Sequence, residues 1–463
     1  MNSIKENVIL QTLLIILLLE GFITISVEIL TMRQLTPFFG TSVLITSIII
    51  GIFLLFLALG YWRGGIYRSN IFQRLSRNFS LALIWIGLGL TYSLVSLYFY
   101  FSIIWLGNSF LLSLFLYLLL VLAPIVYWLG QTIPLTTNLF NQELRVSDIS
   151  GRALFISTLG SFLGAILTSL LLFQYLGVAW TVVINCAILF ALILYIRPYS
   201  KSSWLSIAGL LLILGFIKTL NVNMEKLQFV ATNNYANYAV IEQKNSTRIL
   251  NINDSNSSLI NRNNKGFPYV EYIRDLLFNK LNIQHQQILV IGAGGFTLTA
   301  KGAHGNNVTY VDIDPEIKNI AESSFLHAPI HGHFVGQDAR AYLNQNKTQF
   351  DVIIADVYSN QSAIPSSLIT VDYFQEIANH LKSSGLLIIN TIDHPLFSDD
   401  YAQTTFNTIH AVFPYCTIVP VDWRHTSDLV NMIYMCPKLT KNKSVYSDNL
   451  NTSTIDFFKS RSL

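Results

Sequence analysis

Charge is the first thing this sequence lacks. Only 12% of its 463 residues are Asp, Glu, Lys or Arg, where a soluble chain carries about 25%. Cysteine is almost missing as well. Cys186, Cys416 and Cys436 stand far apart, with neither the spacing of a metal site nor the density of a disulfide framework, so they read as three buried free thiols, and no metal is expected. No dense basic run is present either, which argues against a nucleic-acid surface.

What is abundant is apolar, and unevenly placed. Hydrophobic residues make up 52% of the chain. Residues 1–220 hold 11 Lys/Arg against 5 Asp/Glu, a net of +6, and the remainder holds 18 against 21, a net of −3. The length suits two or three domains, and the composition divides them: an apolar, mildly basic first half and an ordinary soluble second half.

Crossing a bilayer takes about 20 apolar residues. Runs of that kind lie near 8–30, 41–62, 79–100, 108–132, 153–175 and 177–196, with a shorter seventh at 204–219. Six or seven helices over residues 1–220 are therefore expected in a cell (inner) membrane, in contact with the lipid bilayer. The first run is too long, and too closely followed by others, for a cleaved signal peptide. Arg63, Arg68, Arg74 and Arg77 follow the second run, Arg145 and Arg152 the fourth, and Arg197 and Lys201 the sixth, with Lys5 at the start. These fall on one side, which the positive-inside rule makes cytoplasmic. The soluble half then lies outside if the seventh run spans, and inside if it rests along the interface. The cytoplasm is the expectation for the soluble half.

Within the apolar half, Glu20 and Glu28 are costly in hydrocarbon. They read either as a polar substrate or proton site or, for Glu28, as a pair with Arg33. Gly160-x-x-x-Gly164, with Ser157, Ser161 and Thr168, offers a small-residue face for close helix packing. Pro134 is expected to end the fourth span.

From about residue 228 the pattern changes. Residues 228–265 alternate polar and apolar and read as two or three short antiparallel strands. A helix entered through Pro268 follows, and then a βα alternation: QILVIGAGG, NVTYVDIDP, HFVGQDARAYL, FDVIIADVYS, YFQEIANHL and GLLIINTI. Continuous apolar strands between helices mean a parallel sheet covered on both faces, with ligands at the carboxyl ends of the strands. Gly292 and Gly294 would let backbone approach a ligand there. Asp312, about 20 residues further on, can accept from both ribose hydroxyls. Asp338 could accept from an adenine amino group, and Asp356 ends the fourth strand where the reacting end of a nucleoside ligand should be. Each of these acids has a plainer reading as a helix cap or turn residue.

With those residues in view, the soluble half resembles the spermidine synthase (polyamine aminopropyltransferase) family from about Tyr235 to the strand near Ile433. The YVEY helix, VIGAGG, VDIDP, GQDAR and IIADVYS carry the likeness. GFITISVEILTMRQLTPFFGTS and STLGSFLGAILTSLLLFQYLG resemble the membrane segments fused to spermidine synthase-like domains in bacteria. The resemblance implies a Rossmann-like, S-adenosylmethionine-methyltransferase-type domain over 266–440, a small β-region before it and a polar tail over 441–463. It implies that Gly292 and Gly294 shape the cofactor loop, Asp312 holds the ribose and Asp338 reads the adenine. Asp356 would be the catalytic acid, and Tyr269, Glu271 and Tyr358 would line the amine side. The implied reaction transfers an aminopropyl group from decarboxylated S-adenosylmethionine to a polyamine such as putrescine, giving spermidine or a relative. A homodimer is left open as an assembly. Three departures stand out: Gly295 where the soluble enzymes have an acid, Phe296 for a further glycine, and Ser359 for a second acid. Methyl transfer from S-adenosylmethionine is the rival chemistry. A transporter or sensor with a regulatory nucleotide domain, and Glu28 as a transport residue, is the rival class.

Overall fold

The protein is described from a computed structural model, which covers residues 2–40, 42–106, 109–139, 146–200, 202–253, 255–357, 364–425 and 428–438. The sequence readings at Arg145, Lys201, Tyr358, Ser359 and the tail 441–463 lie outside these residues.

The apolar half is a helical bundle. Its helices are α1 (Asn2–Phe39), α2 (Val43–Ile66), α3 (Ile71–Gly89), α4 (Tyr92–Leu106), α5 (Phe110–Thr137), α6 (Val146–Leu167, continued by a wider turn over Thr168–Leu176), α7 (Gly177–Ser200) and α8 (Trp204–Gln228). Five segments are long and apolar enough to cross a membrane: Gln11–Phe39, Val43–Ile66, Phe110–Thr137, Ser147–Ser200 and Trp204–Gln228. The pair α3 and α4, bent by 64°, makes a sixth if counted as one. The long segment Ser147–Ser200 reverses at Gly177. Thr168 and Asn185, on either side of that glycine, both donate to Ser26 Oγ, at 2.8 and 2.9 Å.

The small-residue face works by bringing main chains together. A Cβ on Gly160 would lie 2.0 Å from the Leu18 carbonyl oxygen, and one on Gly164 would lie 2.4 Å from that of Phe22. Helices α1 and α6 therefore touch backbone to backbone, as small residues permit. Glu20 is buried at this seam and accepts from Thr24 (2.8 Å) and Ser157 (3.4 Å).

Two expectations here are corrected. Pro134 does not end its helix, which runs on to Thr137. Glu28 and Arg33 do not pair: no ion pair among the described residues includes either. Five residues apart on a helix, they point about 140° away from one another.

The soluble half opens with a four-stranded antiparallel sheet, β1 (Ala231–Thr232), β2 (Asn237–Glu242), β3 (Arg248–Ile252) and β4 (Ser255–Ile260), in sequential order. Helix α9 (Pro268–Arg274) leads to a seven-stranded sheet, whose first crossovers include α10 (Ile317–Ile320) and α11 (Ala339–Gln345). Its strands are β5 (Gln287–Ile291), β6 (Asn307–Asp312), β7 (His333–Gly336), β8 (Phe350–Ala355), β9 (Leu381–Asp393), β10 (Thr417–Val421) and β11 (Val430–Pro437). The order is β10-β11-β9-β8-β5-β6-β7, parallel from β7 to β9 and closed by an antiparallel hairpin. Neighbouring residues in the central strand divide between two cores. Ile288 and Val290 pack beneath the small sheet, and Leu289 and Ile291 pack under α12 (Val371–His380) and α13 (Asp400–Val412). Strands buried on both faces need continuous apolar runs, which is why QILVI reads as it does.

Two further readings change. The glycine turn is followed by a single 3₁₀ turn, Thr297–Thr299, rather than a longer helix. Cys416 and Cys436 are bonded to one another, not free. Twenty residues separate them in sequence, but the β10–β11 register brings their Cα atoms to 4.1 Å. Cys186 is a buried free thiol as expected.

Gly160→Ala should destabilise the bundle by about 1–3 kcal/mol, the usual cost of overpacking, seen as a lower thermal midpoint in detergent. Gly151→Ala, where an added Cβ meets nothing within 4 Å, is the control. Equal midpoints for both variants would refute the backbone contact.

Candidate active site at the carboxyl ends of the strands

The carboxyl end of β5 carries the glycine turn, and the two strands beside it deliver acids to either side. Gly292 has φ +89°, and a Cβ there would lie 2.1 Å from the Asp356 carbonyl oxygen. Only glycine fits both the angle and the space. Gly294 has φ +48° and sits against Ser258 of the small sheet. On the other flank, the Ala293 N–H donates to Asp312 Oδ2 at 2.9 Å and the Asp314 N–H donates to Oδ1 at 3.1 Å. Asp312 is thus oriented by two backbone donors, and each oxygen keeps a lone pair for a hydroxyl. Burial pushes its carboxyl above the usual range, although those donors pull the other way.

Asp356 follows β8 and is fixed from two sides. Tyr269 donates to Oδ2 at 2.9 Å and Asn390 donates to Oδ1 at 2.8 Å. Burial pushes this carboxyl up, and the two hydrogen bonds only partly offset that. Asn390 is in turn held by Asn431 at 3.0 Å. The sequence reading missed both asparagines. The available signal was a polar residue near the carboxyl end of an otherwise apolar strand, Asn390 in LLIINTI.

The expected residues do not all gather. Tyr269 reaches Asp356, but Glu271, two residues along α9, faces elsewhere. Its carboxylate takes the Gly266 N–H (2.9 Å), Arg274 (2.8 Å) and Lys301 (3.1 Å). Burial pushes that carboxyl up, yet these three partners outweigh it and hold it below its ordinary value. Asp338 is exposed and caps α11 (Ala339–Gln345), accepting from the Ala341 N–H at 2.9 Å. Its other oxygen makes none of the cap. Gly295 explains the missing acid in the loop: a Cβ there would lie 2.3 Å from the Phe325 ring. Phe296 fills core against Tyr310 and Phe334. Among the described residues, no group of three or more His, Cys, Asp or Glu could hold a metal.

With this geometry in hand, comparison with known proteins is direct. The family described as "Spermine/spermidine synthase domain" matches residues 266–445, within the soluble half. The polyamine aminopropyltransferase of Vibrio vulnificus is 32% identical over 155 residues, which is 32% of this chain and 50% of that protein. An ubiquinone biosynthesis O-methyltransferase of Shewanella pealeana is 27% identical over 139 residues, 30% of this chain and 54% of that protein. Among solved structures, a probable spermidine synthase from Corynebacterium glutamicum is 20% identical, covers 49% of this chain and 83% of its own, and has a TM-score of 0.39. The chain spans about half the length of the curated relatives it matches.

Asp312→Ala should weaken binding of an adenosyl ligand by about 1.5–3 kcal/mol, the worth of hydrogen bonds to a charged group. Titration calorimetry on the full chain reads it directly. Unchanged affinity removes Asp312 from the ribose role.

Proposed function

We propose that this protein is a membrane-embedded aminopropyltransferase, using decarboxylated S-adenosylmethionine as donor and a polyamine as acceptor. The observation that carries the reading is Asp356, a half-buried carboxylate aimed by Tyr269 and Asn390 beside the glycine turn. The donor supplies a carbon bonded to a positive sulfur. Asp356 takes a proton from the acceptor ammonium, freeing the lone pair that forms the new N–C bond as the C–S bond breaks. Asp312 holds the nucleoside, Gly292 and Gly294 admit it, and Asp338 offers its free oxygen to the adenine. Methyl transfer is the second reading. Gly295 favours it, because the Phe325 ring leaves no room for an added acid to grip a polycation.

As to placement, we propose that the soluble domain lies on the non-cytoplasmic face, the other of the two arrangements the sequence left open. The two ends of the bundle differ. Arg33, Gly177 and Gln174 meet the soluble half, through Asn233 and Asn237, Thr232, and Glu316. At the opposite end Leu13, Phe72 and Ile149 pack together, and Ser76 bonds Ser202. Arg63 and Arg74 lie over Tyr67, and Arg197 over Trp204, at that far end. Leu13 and Arg33 are twenty helical residues apart, roughly 30 Å. The basic residues thus crowd the end away from the domain, which the positive-inside rule assigns to the cytoplasm. The Cys416–Cys436 bond agrees, since disulfides persist in oxidising compartments. The donor must then be supplied on the face that carries the domain.

Two experiments test these readings. In the first, turnover should fall on the acid side, with a midpoint above the ordinary Asp value because Asp356 must be deprotonated and its pKa is raised. Asp356→Asn should remove that limb and lower turnover by roughly 10²–10⁴. A wild type that accepts only S-adenosylmethionine would replace aminopropyl transfer with methyl transfer. For placement, Asn245→Cys in intact cells should react with an impermeant maleimide, and Arg68→Cys should react only after lysis. The reverse pattern puts the domain in the cytoplasm.

A further inference from the structure

Arg33 is a cation where none is expected. It lies on the apolar helix α1 and is only 5% exposed, and its Nη1 has no hydrogen-bond partner among the described residues. Glu225 of α8 is a nearby countercharge in the bundle, but the hydrogen bonds of Arg33 go to the soluble half. Its Nε donates to the Asn233 carbonyl at 2.6 Å and its Nη2 donates to Asn237 Oδ1 at 2.7 Å, both at the start of the soluble half. The contact continues inward. Asn233 Nδ2 donates to Asp314 Oδ2 at 2.6 Å, and the Tyr238 hydroxyl donates to the same oxygen at 2.5 Å. Asp314 is 1% exposed, and its own N–H orients Asp312 Oδ1. One short chain of polar groups therefore runs from a bundle helix to the acid assigned to the ribose.

The energetics favour a functional link. A buried carboxylate such as Asp314 needs donors and a countercharge. Tyr238 and Asn233 supply the donors. Arg33 is the cation on the far side of Asn233, and it pins the main chain of the residue that holds Asp314. Asp314 is two residues from Asp312, so a shift of its backbone moves the N–H that aims Asp312.

We propose that Arg33 is a positioning residue for the nucleoside site: helix α1 sets the Asp312–Asp314 turn through Asn233. The bundle is then part of the binding site and not only its anchor. This rests on the reading of Asp312 as the nucleoside acid, so the test has one arm that needs no ligand.

The test uses the full chain in detergent, comparing wild type with Arg33→Met, Arg33→Lys and Asn233→Ala. In the ligand-free arm, amide hydrogen exchange across residues 312–317 should quicken in Arg33→Met and Asn233→Ala and return towards wild type in Arg33→Lys. In the ligand arm, affinity for S-adenosylmethionine and for methylthioadenosine should fall about tenfold in the first two variants. The donor KM should rise and kcat at saturation should stay, because the acid that takes the proton, Asp356, is not on this path. Should Arg33→Met fail to fold, Asn233→Ala decides alone, since it cuts the path while leaving the Asn233 carbonyl for Arg33. Unaltered exchange across 312–317 overturns the inference, as does a loss of kcat at unchanged KM. A wild type that binds neither ligand refutes the nucleoside reading, and the exchange arm still judges the path.

Discussion

A main-chain approach with no room for a side chain organises this domain. Gly292 turns at the end of β5 with its α-carbon against the carbonyl of Asp356, so β5 and β8 end at one level. From that contact the rest follows. The loop after β5 is thrown towards β6, where Ala293 meets Asp312, and Asp356 is left on the opposite flank with its carboxylate free to take Tyr269 and Asn390. Two acids on the strands that flank β5 become the two walls of one cleft. A larger residue at 292 would separate the strands and the acids together.

The same demand, that buried polar atoms find partners, explains the join between the halves. Helix α1 brings an arginine out of an apolar bundle, and the small sheet answers with a backbone carbonyl and an asparagine side chain. Glu225, near the end of α8, caps the start of α7 by accepting from the Ala179 N–H at 2.8 Å. Gly177, at the head of α7, lies against Glu225 and Thr232. Each contact satisfies a group that would be expensive to bury alone. Together they fix how the domain stands on the bundle.

Much of this was legible in the sequence because it rests on period and punctuation. Apolar strands, glycines at a strand end and acids at the next strand ends are local signals. They gave the parallel sheet, the cleft, and the positions of Asp312 and Asp356. What escaped depends on register between distant segments. The Cys416–Cys436 bond is set by how β10 pairs β11, not by cysteine spacing. Asn390 matters only because β9 lies next to β8. Glu271 looked like a companion to Tyr269, but two residues on a helix turn it away, towards Lys301 and Arg274. Arg33 read as a partner for Glu28 because proximity in sequence was the only proximity on view.

The departures from the soluble enzymes also have physical causes. Phe296 and Phe325 fill the space under the glycine loop, so Gly295 is required by packing, and no added acid can be accommodated without moving an aromatic ring. Of the acids expected on the amine side, Glu271 is spent on two cations. Asp356, by contrast, takes neutral donors on its oxygens among the described residues, Tyr269 and Asn390. On the reading proposed above, an acceptor in this cleft would meet one carboxylate aimed by neutral donors, while the charge of Glu271 is already taken up by Arg274 and Lys301.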